Sequence, residues 1–347
     1  MGRMSHAVLA AKFFQGQGLA LTLASGLEPN RGPDCGYSHA CAPALHRRGP
    51  SHRTAKVLNN RRDSASHAHD ICATLHTGAT VACFPPQSSQ GEPMIPMLAP
   101  LFTGDWTEEG ESLVYAPDWP ADAIPVSQLI NDPMLLRDIL WRHARYRGAD
   151  GTDLQAATSA WSLSYLWPLL PAFVAAASVL QHRFPVGADD MAVSLDDDGA
   201  ATRFHIRRLG DALPGTSTGK RYQPLLADHL DPLFAALRAQ TRVASKILWG
   251  NAARYLESVL EQGLALTGGA ACIAADHHAL LECAVNDDGS TNPLHGTRRA
   301  STRVESGVVT PVRLHRQCCL YYLLPGEGYC GLCPLAPEHR RGADPGH

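Results

Sequence analysis

Residues 316–340 read RQCCLYYLLPGEGYCGLCPLAPEHR and hold four of the chain's ten cysteines: Cys318, Cys319, Cys330 and Cys333. The spacing is C-C-x10-C-x2-C. A C-x2-C half with a glycine inside it is a metal knuckle, because the turn brings two thiolates into one coordination sphere. Gly331 supplies that glycine, and Pro334 stiffens the exit. Pro325 to Gly328 (PGEG) permits the chain reversal that returns the second pair to the first. The adjacent pair is the unusual element. Structural zinc sites space their ligands by two to four residues, and neighbouring side chains diverge. A [2Fe–2S] cluster is broader, sharing four thiolates between two irons, and suits the spacing better. Structural zinc and reduced or disulfide-linked thiols are the alternatives.

The composition around this motif narrows the setting. With 347 residues, 45% of them hydrophobic, and a formal charge of -3, the chain has material for one large domain or two small ones. The near-neutral balance excludes the basic surplus of a nucleic-acid binder. The most apolar run, Leu166 to Leu180, is interrupted by Pro168 and Pro171 and reads as a buried helix, with no transmembrane segment expected. Near the N-terminus, AVLAAKFF is broken as an export signal by Lys12, Gln15 and Gln17. The expected compartment is the cytoplasm, where clustered cysteines mean metal or redox chemistry more often than disulfides.

Residues 1–93 are rich in Gly, Pro, Ser, Arg and His without a sustained period, and are expected to be a disordered extension. Met94 or Met97 would then be the effective start. Cys35 and Cys41 fit no ligand pattern. From Met97 the texture becomes that of an α+β body, predominantly helical. Asp132 and Pro133 open a helix that ends at Gly148, with Leu136, Ile139, Leu140 and His143 on one face. A long apolar helix, or a broken pair kinked at Pro168 and Pro171, follows. Met191 to Leu209 reads as a β-hairpin turning at DDDG. Two amphipathic helices come next, with stripes Leu226, Leu230, Leu233, Leu237 and Leu248, Ala252, Tyr255, Leu256, Leu260. Cys272 and Cys283 read as small apolar packing residues. Asp276, His277 and His278 read as a solvated face. TRVESGVVTPVRLH reads as extended.

The terminal stretch CCLYYLLPGEGYCGLCPL resembles the end of the FhuF-type ferric-siderophore reductases. SKILWGNAARYLE is similar to that family's Trp-Gly-Asn helix, and the helix–hairpin–helix order also fits, over roughly Met97 to Pro337. The resemblance implies a reductase domain over 94–337, a cluster segment over 315–337 and a flexible tail over 338–347. It implies that Cys318, Cys319, Cys330 and Cys333 hold a [2Fe–2S] cluster passing one electron to siderophore-bound Fe(III), hydroxamate chelates being expected. An electron donor outside the chain is required, and peripheral association with the inner membrane is compatible with this picture. Arg303, Arg313, His315 and Arg316 are candidates for raising the cluster's potential or attracting an anionic chelate, Arg313 and Arg316 as the substrate-binding pair, with ordinary surface charge the alternative, and Trp249 and Asn251 for lining a pocket or simply packing. The competing class is a siderophore-binding or iron-delivery protein with a structural zinc site.

Overall fold

The computed structural model describes residues 94–340, apart from 150, 152, 306 and 307. The extension expected over 1–93, with Cys35 and Cys41, and the tail beyond 340 lie outside the described residues.

Asp132 begins the helix foreseen from sequence. Its carboxylate accepts from the backbone N–H groups of Met134 and Leu135, both at 3.0 Å, satisfying two donors that a first turn leaves open. With the short helices α1 (Thr107–Glu111) and α2 (Val126–Asn131) before it, this is α3 (Pro133–Tyr146). Leu136, Ile139, Leu140 and His143 are all buried, so the predicted face is the packed one.

The central helix α4 (Gln155–Val174) runs unbroken through Pro168 and Pro171 and continues as a π-helical turn over Ala175–Val179. Each proline removes one backbone donor. Nearly every residue from Ala157 to Val174 is buried, and packing on all sides outweighs that local penalty. The Pro168 carbonyl also accepts from the Ser112 hydroxyl. By length and composition the 25-residue stretch Gln155–Val179 would cross a membrane, contrary to the expectation that none would. Yet 83% of its most apolar window is buried inside the protein, as in a core helix.

Beside α4 lies a four-stranded sheet in the order β1-β5-β4-β2. The foreseen hairpin is its centre: β4 (Met191–Leu195) and β5 (Ala201–Ile206) pair antiparallel, with Val193 opposite Phe204. Gly199 makes the turn possible. Its φ is +77°, and a Cβ there would lie 2.9 Å from the Ile139 carbonyl oxygen. The Gly199 carbonyl accepts from Trp161 Nε1 at 2.8 Å, tying hairpin to helix. β1 (Leu113–Tyr115) adds in parallel to β5 and β2 (Ile124–Pro125) antiparallel to β4. β3 (His182–Arg183) and β6 (Asp211–Ala212) form a separate two-stranded piece.

Next come α5 (Thr218–Leu225), a π-helical turn over Leu226–Leu230, and α6 (Asp231–Thr241). The extra residue per turn shifts the stripe read from sequence. Leu230, Leu233 and Leu237 are buried, but Leu225 takes the place expected for Leu226, which is only half-buried. α7 (Ser245–Thr267) carries the second stripe as expected, with Tyr255 half-buried by its surface area. α8 (Ala271–Leu281) overturns one reading. Asp276 is fully buried, not solvated: it pairs with Arg221 and accepts from the hydroxyls of Thr218 and Ser178. His277 is mostly covered and His278 exposed, each beside Glu282. Cys283 is buried, as expected of a packing residue, and Cys272 is half-buried. The extended stretch before the cysteines is a hairpin of β7 (Ala300–Glu305) and β8 (Val308–Arg313).

Candidate iron–sulfur centre

The cysteine segment has almost no regular structure of its own and takes its shape from the helices beneath it. The start of α7 makes the bed. At Gly250 a Cβ would lie 2.6 Å from Cβ of Gln317, so only glycine lets the residue before the cysteine pair sit down on the helix. Asn251, fully buried, donates to the Ser159 hydroxyl at 3.0 Å and the Ser162 hydroxyl at 2.9 Å. Ser159 in turn donates to the Cys319 carbonyl at 2.6 Å. Trp249 packs edge-on against Phe234 on the core side. Asn251 therefore braces the segment through Ser159, and Trp249 packs into the core. From α3, Arg147 donates to the Tyr321 hydroxyl at 2.8 Å and fixes the turn after the cysteines.

The four cysteines come together as two nested pairs. Cys318 and Cys333 place their sulfurs 3.7 Å apart, and Cys319 hydrogen-bonds Cys330. The adjacent residues thus face different partners, as the divergence of neighbouring side chains requires. Leu320 has a φ of +60°, rare for a residue with a side chain, and its N–H donates to Cys318 Sγ at 3.3 Å. The Cys333 N–H closes the knuckle on the Cys330 carbonyl at 2.9 Å. Cys318, Cys319 and Cys333 are buried, while Cys330 is half-exposed beside the exposed Gly331. Approach from outside is therefore at Cys330 and not at Cys333. Arg303 stands there, its Nη1 3.3 Å from where a Cβ on Gly331 would be.

Electrostatics favour negative charge at Cys319. The hydrogen bond from Cys330 holds the Cys319 thiol below its ordinary range, helped by Arg254, whereas Cys330 is pushed up. Burial pushes Cys318 up. His315 is held neutral, its pKa pushed down to about 2 by burial and by Arg254, Arg298 and Arg316. Arg316 is not exposed to a substrate as anticipated: it is buried against Glu257 at 2.7 Å, with Arg298 on the same carboxylate at 3.0 Å. Arg313 is exposed. Glu257, Glu261 and His277 gather their donor atoms within 4.8 Å of one another. Arg298 lies 3.0 Å from Glu257 and 3.8 Å from Glu261, so a guanidinium already fills the cationic position. Arg254 is the residue that sequence reading passed over. The buried guanidinium hydrogen-bonds Cys319 and reaches the Gln317 carbonyl at 3.4 Å.

An α+β body presenting four convergent soft thiols beside buried cations is the scaffold of an iron–sulfur protein. Residues 159–307 match the family described as ferric iron reductase FhuF-like transporter, and residues 316–335 match the FhuF 2Fe-2S C-terminal domain. Both matches fall where the Trp-Gly-Asn helix and the terminal motif carried the resemblance. It is also similar to the ferric siderophore reductase of Escherichia coli (strain K12), with 25% identity over 179 residues, 51% of this chain. It spans 64% of that relative's length. The cofactor of the terminal domain is a [2Fe–2S] cluster. The donor set fits it: four thiols in nested pairs, an N–H aimed at sulfur, and a cationic neighbour.

Proposed function

We propose that the protein is a ferric-siderophore reductase that works in the cytoplasm, with Cys318, Cys319, Cys330 and Cys333 as the cluster ligands. The observation that carries this reading is the asymmetry of burial. Three of the cysteines are sealed inside, and the fourth, Cys330, reaches the surface next to a residue without a side chain. A buried metal knuckle that only stabilised the fold would gain nothing from such a window.

A bound [2Fe–2S] cluster supplies single-electron storage. The chain's residues do the rest. Leu320 N–H and Arg254 favour negative charge on the sulfurs. Cys330 and Gly331 leave a short path from the interior to solvent, Arg303 beside Gly331 attracts anionic chelates to that side, and the exposed Arg313 adds positive surface charge. The substrate Fe(III) gains one electron and becomes Fe(II), which hard oxygen ligands such as hydroxamates hold far more weakly. The chelator leaves intact, and an external donor replaces the electron.

The dithionite-reduced protein mixed with a ferric hydroxamate should return to its oxidised spectrum and deliver Fe(II) to ferrozine, one iron per cluster. A reduced spectrum that persists with every ferric chelate would refute the assignment.

A further inference from the structure

The buried charges around the thiols do not balance. Arg254, Arg298 and Arg316 all lie within this region, and His315, which would add a fourth cation if protonated, is held neutral. One buried carboxylate, Glu257, serves Arg298 and Arg316 together, and Glu261 adds a half-exposed one beside Arg298. Among the described residues no carboxylate pairs with Arg254. Its protein contacts are a long hydrogen bond to the Gln317 carbonyl and the thiols of Cys319 and Cys330, while its Nε is buried without an acceptor. A guanidinium cannot shed its proton to escape such a place, and a cation held largely from solvent without an anionic partner is unfavourable.

From this we infer that Arg254 is the built-in counter-charge of the iron–sulfur cluster and sets its reduction potential. The inference rests on the cluster reading above. The oxidised cluster with four thiolates is an anion, and one added electron makes it more negative. A fixed cation beside Cys319 therefore favours the reduced state more than the oxidised one. The electron comes from the external reductant and no proton need move with it, because the arginine stays charged throughout.

The placement also explains the glycine beneath. Gly250 and Arg254 stand one helical turn apart on α7, so close seating of Gln317 at Gly250 draws the cysteine pair down onto the arginine. A polar substitute at Arg254 keeps a hydrogen bond to the segment but loses the charge, and a lysine keeps the charge.

Potentiometric titration of the anaerobically purified full chain, with iron, sulfide and zinc analysis, tests this. At the wild-type midpoint, R254Q should hold about tenfold less reduced cluster per oxidised cluster, equal to a fall of about 59 mV for one electron. R254K should stay within about twofold of wild type. Loading of R254K but not of R254Q would equally support a requirement for charge. Equal midpoints for R254Q and wild type would overturn the inference while leaving the iron–sulfur reading intact. Failure of both variants to load would assign Arg254 a role of shape, also overturning it. Wild-type protein carrying stoichiometric zinc and no iron would remove the underlying reading.

Discussion

Two arginines on neighbouring parts of this molecule have opposite surroundings. Arg221 on α5 meets Asp276 on α8, and the same carboxylate accepts from Thr218 and Ser178, so charge and hydrogen bonding close within the protein. Arg254 on α7 meets only a carbonyl and thiols. The difference extends to packing. Around Arg221 the helices bury a continuous apolar core. The cysteine segment has a small cluster of Cys318, Cys333 and Ala336 and little regular structure. The body is complete as a polypeptide, whereas the segment is shaped to be completed by a bound group.

The largest effect that can break this contrast is removal of a thiol. Serine at any of Cys318, Cys319, Cys330 or Cys333 replaces a soft donor by a hard one, and iron and sulfide content should fall by at least about tenfold. Far-UV circular dichroism of the same variants should be nearly unchanged, because the helices owe little to the segment. Retained iron in any one of them would remove that cysteine from the ligand set; collapse of the helical signal would erase the distinction between the two regions.

A smaller effect belongs to the body alone. His229 is fully buried between Tyr165, whose hydroxyl lies 2.8 Å from Nε2, and the Val186 carbonyl, 2.7 Å from Nδ1. A neutral imidazole satisfies both contacts by donating to Val186 and accepting from Tyr165. Burial lowers its pKa from 6.5 to about 4. Below pH 6.5 the unfolded chain takes up a proton that the folded one refuses, so stability is full above 6.5. It is lost as pH falls towards 4, by up to about 3 kcal/mol. Denaturant titrations at pH 7 and pH 4.5 should show this loss, and His229→Gln should reduce it even if the variant starts less stable. A wild-type stability that is flat across the interval would mean His229 is already protonated or exposed.

How legible each region was follows from the same contrast. Asp132 with Pro133, the DDDG turn and the four cysteines each announce themselves locally, through a cap, a turn and a spacing. What sequence concealed was decided by distant partners. Asp276 looked solvated beside two histidines, but Arg221 and Thr218, more than fifty residues earlier, bury it. β1 has three residues and finds its parallel partner across the intervening helices. The π turns at Ala175–Val179 and Leu226–Leu230 shift a stripe without altering composition. Arg254 read as an ordinary charge on an amphipathic helix. The available signal was Gly250 four residues earlier: glycine inside a long helix marks a close approach, and the residue one turn on shares that face.

The smallest effect concerns the rim. Arg316 is tied to Glu257 in the interior, so of the two arginines expected to attract an anionic chelate only the exposed Arg313 is left to act on one, through the field it adds to the surface. Exposed charges act through solvent and are screened beyond about 10 Å at 0.1 M salt. Arg313→Gln should therefore slow reduction of an anionic ferric chelate only about twofold to threefold at low ionic strength, with the gap closing as salt rises. A neutral chelate should be reduced by variant and wild type at equal rates, since nothing in the thiol bed depends on Arg313. The midpoint potential should also be unchanged, which separates this residue from Arg254: one acts on encounter, the other on the electron's resting energy. Stopped-flow rates over a salt series give the comparison directly. A salt-independent loss with both chelates would place Arg313 in the electron path and leave the interior arginine without its distinct role.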